Sequence, residues 1–96
     1  MPQLSITIPH TLTQDEVVKR IKEKAESAKS QATGVVMEWE GYTMNFAFAV
    51  MGVSVKGHLI VEPHEIQIHV ELPWIAKPFF GQIESRVREE CQQLLT

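Results

Sequence analysis

Few side chains in this sequence stand at spacings that chemistry could use, and the histidines come first among them. Alternation through residues 53–72, folded back at Pro63-His64, sets His58 opposite His69, with Asn45 on the neighbouring strand and Glu71 two residues along. Facing imidazoles on one sheet face have Cβ atoms roughly 5 Å apart, a spacing that could share a Zn²⁺ or Ni²⁺ ion. Against a metal, Lys56 falls opposite Glu71 and no third histidine is placed to join, while His10 and His64 fall in loops. The pair therefore reads as part of a polar sheet face. Cys91 occupies an apolar position of a helical pattern, where cysteine behaves as a small buried hydrophobe rather than a nucleophile. The only aspartate, Asp15, belongs to a helix cap, and no serine sits in a G-x-S-x-G turn, so no hydrolytic triad can be assembled. Phosphate-loop and dinucleotide fingerprints are also missing. The eleven glutamates fall mostly on solvated faces. The expectation is a protein that is not an enzyme, with no catalytic, metal or cofactor-binding residue.

The other candidate is apolar. Trp39, Tyr42, Met44, Phe46 and Phe48 share one face of the β region, with Phe46 at its centre. Such a face can line a pocket for an apolar ligand, or it can be solid core. Two helices over a five-stranded sheet of this length leave little spare volume, so core packing is the simpler reading.

The elements that position these residues follow from periodicity. Leu4, Ile6 and Ile8 alternate with Ser5 and Thr7, a half-buried strand closed by Pro9. Thr13-Gln14-Asp15-Glu16 is a capping box, after which Val17, Ile21, Ala25, Ala28 and Ala32 make a narrow helical stripe of mostly small residues, with Gly34 as terminator. Glu40-Gly41, Met51-Gly52 and Pro63-His64 read as two-residue hairpin loops. They pair Trp39 with Tyr42, Met37 with Met44, Phe46 with Gly57, Phe48 with Val55, Leu59 with Ile68 and Val61 with Ile66. All of these fall on one face, and a one-residue slip would flip each side chain across the sheet. Pro78 suits a first helical position, and Phe79/Phe80, Ile83, Val87, Cys91 and Leu94 then recur at helical spacing. The predicted fold is α+β: a β-α-β-β-β-β-α chain forming a single twisted antiparallel sheet. Both helices cover one face, helix-grip-like, and the first strand lies beside the last.

At 96 residues and 10.9 kDa the chain has room for one domain, 1–96, and its 44% apolar and 22% charged residues are those of a globular protein. No apolar run approaches the roughly 18–20 residues that span a bilayer. The net charge of −3 argues against a nucleic-acid partner. A single cysteine excludes an internal disulfide and suits a reducing cytoplasm. Strand 35–39 is an edge with consecutive apolar Val35, Val36 and Met37 and no lysine or proline. The outer face carries uncharged Val36, Ala47, Ala49 and Ile60. Either surface could hold a homodimer.

The segments LSITIPHTLTQDE, FAVMGVSVKGHLIVEPHEIQIHVELPW and IAKPFFGQIESRVREECQQLL resemble the polyhydroxyalkanoic acid system protein family, small bacterial proteins named for genes near those of polyester-granule synthesis. The resemblance rests on Ile8-Pro9-His10, on Met51-Gly52 with Gly57, and on Leu72-Pro73-Trp74 followed by Lys77-Pro78-Phe79. These are structural punctuation and transfer no catalytic residue. The resemblance implies a cytoplasmic protein accessory to polyhydroxyalkanoate storage, acting at or near the granule surface, with granule proteins or the polyester as partners. Three functions follow: a non-catalytic accessory or binding module, a carrier of small apolar ligands, and an enzyme. A cavity of several hundred Å³ would favour the carrier. Buried carboxylates converging on a cleft would favour the enzyme, and a solid core would leave the accessory module.

Overall fold

The computed structural model describes residues 3–28, 33–50 and 52–96. Five strands, β1 (Gln3–Pro9), β2 (Thr33–Glu40), β3 (Thr43–Val50), β4 (Val53–Val61) and β5 (Glu65–Glu71), form one antiparallel sheet in the order β1-β5-β4-β3-β2. Helix α1 (Gln14–Ala28) follows β1, and α2 (Phe80–Leu95) follows β5 through a 3-10 turn at Trp74–Phe79. This is the expected α+β arrangement, with β1 beside β5. Pro78 sits inside the 3-10 turn, so the α-helix begins two residues after the expected start.

The local causes are visible at each boundary. Leu4, Ile6 and Ile8 are buried while Gln3, Ser5, Thr7 and Pro9 are exposed, the period-2 pattern of a strand with one wet face. The backbone N–H of Glu16 donates to Thr13 Oγ1 at 3.1 Å, half of the capping box. The other half is not made, because the Glu16 carboxylate turns to Arg20 at 3.0 Å. Helix α1 is described as far as Ala28, and Ala32 of the expected stripe lies outside the described residues. Gly34 does not terminate it. With φ +60°, Gly34 belongs to β2 at a register shift between Thr33 and Val36, where a bulge takes up a left-handed residue that glycine allows.

The second and third hairpins pair as expected, from Val50↔Val53 through Phe46↔Gly57 to Met44↔Leu59, and from Val61↔Ile66 through Leu59↔Ile68. Met51 of the second loop lies outside the described residues. The first hairpin is corrected. Its loop is Gly41-Tyr42, closed by Glu40↔Thr43, so Trp39 faces Met44 and Met37 faces Phe46. Gly41 has φ +62° at the first loop position, which suits the glycine-first turn favoured in hairpins. Sliding a loop by one residue moves every partner by two, so each side chain keeps its face.

The buried layer lies off-centre. Ile6, Val17, Val61, Ile66 and Leu72 are each under 2% exposed, where β1, β5 and the end of β4 meet the helices. Phe46, expected at the centre, is only half-buried. The helix backbones approach β1, β4 and each other, and neither comes close to β2 or β3 among the described residues.

Candidate functional site: an apolar groove

Because the helices stop short of β2 and β3, the helix-facing side of the sheet is left partly open. A cavity of about 750 Å³ opens there between α1, α2 and the strands. Met44, Phe46 and Phe48 of β3 and Val53, Val55 and Leu59 of β4 supply its floor. Ile83, Val87, Cys91 and Leu94 of α2 face it from the other side. Helix α2 accordingly has no buried residue, although its apolar stripe is as long as the sequence implied. Burial along α1 falls from Val17 (0% exposed) through Ile21 (8%) to a half-buried Ala25, which lines the groove. The signal in the sequence was that small residue: alanine so far along the stripe cannot reach the floor. The volume lies within the roughly 300–1,000 Å³ of ligand sites.

Of the five aromatic and methionine residues singled out from the sequence, Met44, Phe46 and Phe48 line the groove together, and the Phe46 and Phe48 rings stack at 6.1 Å. Trp39 and Tyr42 do not line it. Lys22 of α1 lies over the Trp39 ring at 5.5 Å, a cation–π contact. Tyr42 is 40% exposed in the shifted hairpin loop, and its hydroxyl donates to Asp15 Oδ1 at 2.9 Å. That hydrogen bond, with the negative charge of Asp15, holds the phenol above its usual pKa. Both residues therefore brace β2 and β3 against the flank of α1.

Two features border the groove. Cys91 has its thiol pushed up to about 11, first by burial and then by the charge of Glu90, so it is a neutral wall group. At the rim, Lys24 of α1 and Arg86 of α2 both pair with Glu90.

The opposite face holds a shallower hollow of about 390 Å³ lined by Asn45, Lys56, His58, His69 and Glu71. His58 does face His69, with ring centroids 4.8 Å apart, and Ser5 Oγ is hydrogen-bonded to His69 Nδ1 at 3.1 Å. Lys56 lies 3.6 Å from Glu71, the cation that was expected to oppose a metal. No group of three or more His, Cys, Asp or Glu residues that could hold a metal is gathered among the described residues.

His10 is the residue that sequence reasoning passed over. It is 7% exposed, its Nε2 donates to the Glu62 carbonyl at 2.8 Å, and its backbone N–H donates to the His64 carbonyl at 2.9 Å. It ties the end of β1 to the β4–β5 hairpin. The signal was present, since Leu4, Ile6, Ile8 and His10 continue one alternation through Pro9.

The family described as "Putative polyhydroxyalkanoic acid system protein" matches residues 4–95. No curated protein and no solved structure matches the chain.

Proposed function

Because the chain belongs to the polyhydroxyalkanoic acid system protein family, we propose that it is a non-catalytic binding module of polyester storage that takes an apolar chain into its groove. The observation that carries this reading is the cavity of about 750 Å³, walled by methionine, phenylalanine, valine and leucine. It turns the choice away from a solid core and towards ligand binding. An enzyme is disfavoured, because among the described residues the groove wall offers no carboxylate, and the thiol of Cys91 is held protonated. No helix among the described residues is long and apolar enough to cross a membrane. The module works in the cytoplasm, at the surface of the storage granule where aliphatic chains are exposed. Titration with 1-decanol, followed by methyl resonances of Met44, Val53 and Val55, tests the groove. Saturable shifts confined to these residues are expected, and their absence overturns the reading. Tagged protein in polyester-accumulating cells should ring the granules, and diffuse staining overturns the granule placement.

A second reading concerns the partner. The β1 edge of the sheet is covered: α2 packs beside it and Arg88 Nη1 donates to the Thr7 carbonyl at 3.1 Å. The β2 edge carries Val36 at 50% exposure and no lysine or proline. Among the described residues only β3 contacts β2, and an apolar edge left open in this way favours pairing with a second copy. Paired antiparallel about Met37, two β2 strands would set Val35 against Trp39 and Val36 against Glu38, with no like charges opposed. Light scattering at rising concentration should show a dimer weakened by Val36→Lys. Monomer mass into the hundreds of micromolar, where even weak contacts register, overturns it.

A further inference from the structure

The rim gives the groove a polarity that its walls lack. Among the described residues, the charged groups lining it are Lys24 and Arg86, both cationic, in a chain of net charge −3. One carboxylate already reaches both. Glu90 Oε2 pairs with Lys24 Nζ, and Oε1 lies 3.2 Å from Arg86 Nε, so the two cations stand at the spacing a single carboxylate bridges. Glu90 itself is not part of the lining. The hydrogen bond and charge of Lys24, joined by the charge of Arg86, hold its carboxyl below the usual range and keep it ionised. This bridge uses Arg86 Nε and one of the three ammonium protons of Lys24, and leaves further donors for a second anion.

Resting on the groove reading above, we infer that the ligand is an anionic amphiphile, a medium-chain alkyl carboxylate. Its chain lies along Met44, Phe46 and Phe48, and its carboxylate is held at the rim by Lys24 and Arg86. Burial of the chain supplies the affinity, and the charge-assisted hydrogen bonds supply the choice of head group. Because the rim is open to water, that choice is modest.

The experiment compares decanoate, 1-decanol and decyltrimethylammonium, each below its micelle concentration, by calorimetric titration of the full chain at neutral pH. Decanoate should bind about three- to tenfold more tightly than 1-decanol at low salt. Decyltrimethylammonium should bind more weakly than either, and the decanoate advantage should shrink at high ionic strength. Arg86→Gln should shrink the advantage of decanoate over 1-decanol, with the larger loss falling on decanoate. Glu90→Gln should raise decanoate affinity alone, because both cations lose their internal partner, and a damaged fold cannot produce such a gain. If 1-decanol binds as tightly as decanoate, or Glu90→Gln does not strengthen decanoate, the head-group inference is overturned while the groove reading stands. If none of the three binds, both fail.

Discussion

At Gly57 the backbone of β5 passes so close that an added Cβ would run into the His69 carbonyl oxygen and lie 3.0 Å from Val70 Cα. Backbone cannot give way as a flexible side chain does. Gly57→Ala should therefore cost about 2–3 kcal/mol in denaturant melts, although the position is an ordinary strand site with no positive φ. Cys91 makes the opposite point, because its environment suppresses chemistry. With its thiol near 11 rather than the usual 8–9, it carries little thiolate at pH 8. Alkylation of the folded protein should be roughly a hundredfold slower than of the unfolded chain, and slower still with 1-decanol bound. An alkylation rate equal to that of the unfolded chain would mean that α2 does not face the groove.

Between elements, polar contacts tie the two helices together. Arg20 of α1 donates through Nη1 to the carbonyls of Leu94 at 3.0 Å and Thr96 at 3.2 Å, where the unpaired acceptors and negative dipole end of α2 lie. Its Nε is held by Glu16 at 3.0 Å. Arg20→Ala should cost about 1–2 kcal/mol and speed proteolysis near residue 95, whereas an exposed ion pair alone would be worth less. Equal stability and cleavage in the two proteins would show that α2 is held by its apolar stripe alone. At the other end of α1, Thr13→Ala should remove the one cap bond and cost about 1 kcal/mol.

Across the whole molecule, packing is divided between a closed half and an open half. Ile66→Ala, at 0% exposure between Val61 and Ile8, should cost about 3–4 kcal/mol. Phe46→Ala, on the groove floor, should cost only about 1 kcal/mol while weakening decanol binding. The reverse order of these two would place the core where the sequence alone suggested it. Amides of β5 and the end of β4 should exchange only through global unfolding, and those of β2 through local opening at lower free energy.

The amino-acid sequence by itself determined which side chains share a face, because strand alternation has a period of two and any wrong slip would bury Glu38, Lys56 and His58. It also determined the strand order at the β1 edge and the partners of the second and third hairpins. It left the first hairpin open by one loop position. Loops at 40–41 and 41–42 preserve the same faces, and only the observed backbone, with Gly41 at φ +62°, separates them. Periodicity could not decide how far the helices reach across the sheet. An amphipathic stripe says that a helix will bury one face, and it says nothing about which strands will lie beneath it. That was settled by where the chain enters and leaves each helix: α1 departs from β1 at one edge, and α2 returns to the same edge. The open floor of β2 and β3, and with it the groove, is a consequence of that placement.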